Sequence, residues 1–249
     1  MTSPEAINFA LSYPYERPKD DFIYINGHSY KLSDRDGHDI NDWRVQTGSG
    51  KKRIADLIAK THYETDFSAL IPVIAVGSNG SPVQLRRKFY TKHDTMIPTL
   101  MMTLENWTAT YCRFISGYGA VPATITRHDG CQSILPVNFV DAATFKLLNN
   151  SEGLGEFYNL LEIDTRDLTH PEFKTFDTIY AYKALDEGFN FRLDGFEVIG
   201  CDLPTYTQWE MQQHIIDSMK LDTDVVSFII ANIEDADRRH MIGDKMKKI

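Results

Sequence analysis

The chain has 249 residues, 42% of them hydrophobic and 24% charged, which is the make-up of a soluble globular protein with one large domain or a domain plus an extension. Twenty-six Lys and Arg against 35 Asp and Glu leave a net charge of −9, which argues against generic nucleic-acid binding, because that needs clustered cations to neutralise phosphates. The basic runs at 51–53 and 85–89, "KKR" and "LRRKF", read as solvated faces.

In chain order, residues 1–70 read as an N-terminal extension packed on a main domain of residues 71–249. Within the extension, "FIYINGHSYKL" (22–32) predicts a hairpin, because two β-rich runs flank Asn26-Gly27. The polar, Gly- and Asp-rich stretch 33–53 predicts a loop. "IADLIAKTHY" (54–63) predicts a helix from the spacing of Ile54, Leu57 and Ile58. The main domain opens with the apolar run Ile71 to Val76, a strand that breaks at Gly77-Ser78-Asn79-Gly80 and resumes as a helix after Ser81-Pro82. Residues 96–115 suit strands, and 121–141 suits two strands across a turn near Asp129-Gly130. A short helix follows from 142, with Phe145 and Leu148 toward the core, and ends in a Gly-containing loop. "NLLEIDTR" and "FDTIYAYKAL" are two further strands. Residues 203–221 predict a helix with Pro204 near its start and Trp209, Gln213, Ile216 and Lys220 at helical spacing; 222–249 predicts one more helix with a basic tail. Strands in the middle and helices at the end make the class α+β.

Several motifs fail on their chemistry. "TGSGKKR" (47–53) lacks the first glycine of a P-loop, which is Val45 here, and has Lys52 where Ser or Thr would hold magnesium. The histidines show neither an i, i+4 pair nor HExxH, so no metal site is expected. Gly77-Ser78-Asn79-Gly80 has the wrong spacing for a nucleophile elbow. Cys112, Cys131 and Cys201, odd in number and without CxxC spacing, predict neither a disulfide framework nor a zinc site and point to a reduced, cytoplasmic setting. The N-terminus lacks the basic start and apolar core of a signal peptide, and no apolar run approaches the ~18 residues of a membrane span. Two stretches keep chemical promise. The Gly-rich loop can converge backbone N–H groups on an anion or carbonyl. Glu152, before Gly153 at the end of a helix, can present a carboxylate into a cleft as a general acid and base; Glu156 on the same loop is the fallback.

Taken in order, Val76-Gly77-Ser78-Asn79, then "ATITRHDGCQSILPVNFV", then "LLNNSEGLGEFY", then "NLLEI" and "TIYAYKA", this chain resembles the gamma-glutamylcyclotransferase-like superfamily over about residues 71–221. The resemblance implies a small mixed β-barrel flanked by helices, with a pocket between the GSN loop and the Glu loop. It implies Glu152 as general acid and base, with Val76, Gly77, Ser78, Asn79 and Gly80 gripping the substrate and Tyr158 and Tyr182 as wall or hydrogen-bonding residues. The implied reaction is intramolecular cyclisation of a γ-glutamyl amide to 5-oxoproline, without a cofactor, on a small-molecule substrate. Val76 departs from the family Tyr and removes a hydroxyl from the loop. A non-catalytic protein that binds or sequesters a small molecule in the same pocket is the alternative, and a protein-interaction module built on the extension is a third.

Overall fold

The computed structural model describes residues 3–58, 63–89, 95–168 and 176–249. The chain opens with helix α1 (Pro4–Leu11), whose N-cap Ser3 accepts a hydrogen bond from Ala6 N. Strands β1 (Phe22–Ile25) and β2 (His28–Asp34) form the expected hairpin. Its turn works because Asn26 and Gly27 both adopt positive φ, 46° and 88°, which matches the twist of the flanking strands. The expected loop at 33–53 instead contains a second hairpin, β3 (Arg44–Thr47) and β4 (Gly50–Arg53), in register from Arg44↔Arg53 to Thr47↔Gly50. Its strands are short and polar, so neither alternation nor apolar content marked them. The helix expected at 54–63 is a single 3-10 turn, Ile54–Asp56; the part of that expectation over 59–62 lies outside the described residues.

Strand β5 (Ile71–Ile74) leads through the Gly-rich loop to α2 (Pro82–Phe89). Two long strands follow, β6 (Met96–Tyr111) and β7 (Ala123–Val140), paired antiparallel along their length. Residues 121–141 are therefore one strand and not two. Gly130, with φ 84°, lies in a bulge where the register shifts between Glu105 and Trp107. Then come α3 (Ala142–Ser151), β8 (Tyr158–Asp164), β9 (Thr178–Ala184), the short strands β10 (Arg192–Leu193), β11 (Glu197–Ile199) and β12 (Thr205–Tyr206), and helices α4 (Gln208–Ser218), α5 (Val225–Glu234) and α6 (Ala236–Met246). The helix expected from residue 203 begins later because Thr207 caps it through a reciprocal box with Glu210. Its buried stripe is Gln208, Met211, Gln212, Ile215 and Ile216, while Trp209 is exposed. The helix expected over 222–249 splits at Asp235, whose side chain accepts from Arg238 N and so starts a new helix.

The fold is α+β. The sheet runs in the order β4-β3-β2-β1-β6-β7-β5-β9-β8. Among the described residues its two outer strands, β4 and β8, do not pair, so the sheet is open and the expected barrel is not formed. Among the described strands, only β5 with β9 and β10 with β12 pair in parallel. Strand β1 hydrogen-bonds directly to β6 and is buried along its whole length. Its alternation splits the core. Phe22 and Tyr24 face a cluster with Leu85 and Phe89 of α2 and Leu148 of α3, whereas Ile23 and Ile25 face the larger cluster that includes Ala10, Met211, Phe228 and Ile242 of α1, α4, α5 and α6. Each fully buried Ile, Leu or Phe contributes roughly 1.5–3 kcal/mol. The sheet is thus sandwiched between two helical layers. The loops after β5 and α3 meet on the side covered by α2 and α3. No helix among the described residues is long and apolar enough to cross a membrane.

Candidate active site

The Gly-rich loop is fixed by buried polar bonds. Ala75 N donates to Pro136 O at 2.8 Å as β5 ends, and Ser78–Gly80 forms one 3-10 turn. The carbonyl of Asn79 accepts from Asn138 Nδ2 at 3.0 Å, and Asn138 Oδ1 accepts in turn from Thr99 Oγ1 at 2.8 Å. This chain ties the loop to β7 and β6. Ser81 Oγ donates to the carbonyl of Glu16 at 2.7 Å, which ties the loop to the N-terminal segment as well. Gly77 is required by packing, since a Cβ there would overlap the Tyr13 hydroxyl. That hydroxyl is itself held, accepting from Ala123 N at 2.8 Å.

Glu152 is the residue that ends α3. Its N–H donates to Leu148 O at 3.1 Å, and Gly153, with φ +62°, takes the left-handed position that turns the chain away. The carboxylate therefore projects from the helix end toward the Gly-rich loop. Glu152 Oε1 accepts from Asn79 Nδ2 at 3.0 Å, a contact across 73 residues of sequence. The same oxygen pairs with the Lys88 ammonium, which also donates to Ser151 Oγ at 3.0 Å. The two charged side chains are only 14% and 18% exposed. The carboxylate is thus ion-paired and not set in a purely apolar pocket. Lys88 reaches it because it shares a face of α2 with Leu85 and Phe89, at i, i+3, i+4, and both of those are buried.

Val76, Gly77, Ser78, Asn79, Glu152, Tyr158 and Tyr182 line one small cavity of about 60 Å³ together with Tyr13 and Tyr118. Gly80, expected in the same set, does not line it; its Cα packs toward Pro136 and Arg17. Glu156 is exposed and lines only a larger cleft of about 760 Å³ next door. Tyr118, Pro122, Glu152 and Tyr158 belong to both spaces, so Glu152 stands at their junction. Among the residues lining the inner cavity, Glu152 is the one carboxylate, and no His or Cys accompanies it, so they offer no set of metal ligands.

The tyrosines are neutral hydrogen-bonding groups. Burial holds Tyr13 and Tyr158 well above the usual phenol range, raises Tyr182 as well, and pushes Tyr118 up to about 12. Tyr158 Oη donates to Ala123 O at 3.2 Å, and Tyr182 Oη donates to Asn149 Oδ1 at 2.7 Å. Nearby Cys112 is buried, and burial pushes its thiol up to about 12, which leaves it a poor nucleophile at neutral pH. One buried acceptor stands out. Asn79 Oδ1 has no hydrogen-bond partner among the described residues, although it sits in a chain of satisfied groups.

Sequence reasoning missed Lys88, Tyr13 and Tyr118. Lys88 was hidden in a basic run read as a solvated face, although its helical spacing from Leu85 would have turned it inward. Tyr13 lies in the N-terminal segment, and nothing local marks it for a site. Its hydroxyl lies against the Gly-rich loop beside Gly77.

No protein-family model matches the chain, and no curated protein sequence does. Solved structures similar to it include the following two. A gamma-glutamyl cyclotransferase is 15% identical, with 72% of this chain and 99% of that one covered and a TM-score of 0.35. A human protein described as uncharacterized is 15% identical, with 66% of this chain and 88% of that one covered and a TM-score of 0.33. Both likenesses are distant and carry no weight for the chemistry.

Proposed function

We propose that the protein is an amide-cleaving cyclotransferase acting on a small γ-glutamyl-type compound, with Glu152 as the proton shuttle. The observation that carries this reading is the contact of Glu152 Oε1 with Asn79 Nδ2 at the wall of the small inner cavity, two segments 73 residues apart converging on one space. In the reaction, the α-amine of the substrate attacks its own γ-carbonyl. A new C–N bond closes the lactam, the amide C–N bond breaks, and 5-oxoproline and a free amine leave. Because attack is intramolecular, proximity is already supplied. The protein adds a folded pose, a proton carrier and stabilisation of the developing oxyanion.

Glu152 accepts the amine proton and returns it to the leaving nitrogen. Asn79 and Lys88 both hold Oε1, which leaves Oε2 for that transfer. Asn79 Oδ1, without a partner, accepts an N–H of the substrate amine. The main chain of Gly77 to Asn79 faces the carbonyl, and Tyr158 and Tyr182 are wall residues. The inner cavity is too small for a whole substrate by itself, so the reacting end sits inside and the leaving amine extends into the larger cleft past Glu152. Protons are all that move besides the substrate, so no cofactor is required.

The test is release of 5-oxoproline by the purified protein from a panel of γ-glutamyl amides. Turnover of at least one is expected, and release from none would sink the reaction. The Glu152–Lys88 pair and Val76 favour a second reading, in which the pocket binds or sequesters a small molecule without cleaving it. A ligand that survives purification unchanged, identified by mass spectrometry, would support that reading instead.

A further inference from the structure

The bulge in β7 assembles a group of side chains that the pocket does not use. Glu105 pairs with Gln132 and Trp107 with Arg127, so Asn106 alone faces residues 128–131. Asn106 takes φ 60°, and its Oδ1 accepts from Gly130 N at 3.0 Å, which pins the bulge. Strand β11 runs alongside, with Ile199 opposite Gln132. At the next residue the two backbones come together closely, because a Cβ on Gly200 would run into the Gly130 carbonyl. This approach sets Cys201 beside Cys131, and the two form a disulfide. The expectation that the cysteines would stay unpaired is therefore corrected, and with it the argument for a reduced compartment loses its premise. The pairing was hidden because the partners are 70 residues apart and meet only through the bulge.

His128 belongs to the same bulge. Donor atoms of His128, Cys131 and Cys201 all lie within 4.8 Å of one another. Zn–S of about 2.3 Å and Zn–N of about 2.0 Å imply donor separations of roughly 3.5–3.8 Å in a tetrahedral site. Opening of the disulfide lets the two sulfurs separate toward that spacing. Asp202, next to Cys201, accepts from His128 Nε2 at 2.7 Å. A carboxylate on one imidazole nitrogen is the arrangement that orients a metal-bound histidine through the other. Cys131 is fully buried, His128 is half-buried and Asp202 is exposed, so the group is shielded on one side and open to solvent on the other.

We propose that His128, Cys131 and Cys201 form a second site, one that binds a thiophilic divalent cation when the cysteines are reduced. Two thiolates and one imidazole suit zinc, with Asp202 orienting His128 and a fourth position left for water or an outside ligand. Two equivalents of a small thiol open the site. The protein S–S bond breaks to two thiols, and the small thiol is oxidised to its own disulfide. The cation then displaces both thiol protons as it binds. Oxidation closes the site, so one cluster has two exclusive states.

The experiment uses the full chain, reduced with a water-soluble phosphine, freed of the reductant without air, and titrated with zinc against a chromophoric chelator. One equivalent per chain is expected for the reduced protein and none for the oxidised protein. His128→Ala and Cys201→Ser are expected to abolish uptake, and Asp202→Asn to weaken it about 10–100-fold. Titration of the wild type with cobalt gives a readout independent of any variant, since bound cobalt is expected to show thiolate charge-transfer absorption. Absence of zinc uptake by the reduced chain, full affinity in His128→Ala, or cobalt binding without that absorption would overturn the proposal.

Discussion

Strand β7 carries both chemical groupings of the molecule and treats them in opposite ways. At its first residues the strand is regular, and Ala123 serves as a rigid anchor between the hydroxyls of Tyr13 and Tyr158. Farther along, the strand bulges, and the irregular backbone itself brings His128 and Cys131 to Cys201. The pocket is fixed by packing of segments remote in sequence and adjoins the larger cleft beside Glu152. The cluster is fixed by the bulge of β7 together with the close approach of the chain after β11, and its disulfide is a bond that reduction can open. The difference teaches that one sheet can hold a permanent site and a convertible one, provided that only the second depends on a bond that can be broken.

Four measurements sharpen or break this contrast. The largest effect is expected from reduction. Opening a link across 70 residues is expected to lower the stability of the metal-free protein by about 2–4 kcal/mol, read by denaturant titration with and without a phosphine, and zinc should restore part of it. On the pocket side, Gly77→Ala is expected to cost about 2 kcal/mol because the added methyl overlaps the Tyr13 hydroxyl, whereas Gly48→Ala, with nothing near it, should change stability little. Chemical denaturation of the two variants checks this. Lys88→Met leaves the Glu152 carboxylate without its cation and is expected to cost somewhat under 2 kcal/mol, below the ~3–5 kcal/mol of a fully buried pair, because both side chains keep some exposure. The Lys88→Met/Glu152→Gln double variant should recover much of that loss, and a double-mutant cycle with no coupling would contradict the pairing. Smallest, Tyr13→Phe leaves the buried Ala123 N–H without an acceptor and is expected to cost about 1 kcal/mol in the same assay.

What the sequence made legible follows from how locally each feature is specified. The Asn26-Gly27 hairpin, the strand into the Gly-rich loop, the α3 turn ending at Glu152 and the strands β8 and β9 are all written in adjacent residues. The structure places them where those residues suggest. The β3–β4 hairpin was invisible because its strands are polar and short. The single long β7 was read as two strands, because Asp129-Gly130 is a turn signal that here makes a bulge. In the pocket, Glu152 and the loop were legible through their order along the chain. Lys88 and Tyr13 were not, because a helix face and a remote N-terminal tyrosine reveal their roles only when packed. The His128 cluster was least legible, since its ligands come from an HxxC stretch and a CD pair that no single spacing rule joins.

In the proposed reaction Glu152 carries protons in the inner cavity. Its most direct test compares kcat and KM for 5-oxoproline release by wild type, Glu152→Gln and Glu156→Gln on the best γ-glutamyl substrate. Glu152→Gln is expected to lower kcat by about 10²–10⁴-fold with KM changed only a few-fold, while Glu156→Gln stays close to wild type. Full turnover by Glu152→Gln would contradict it.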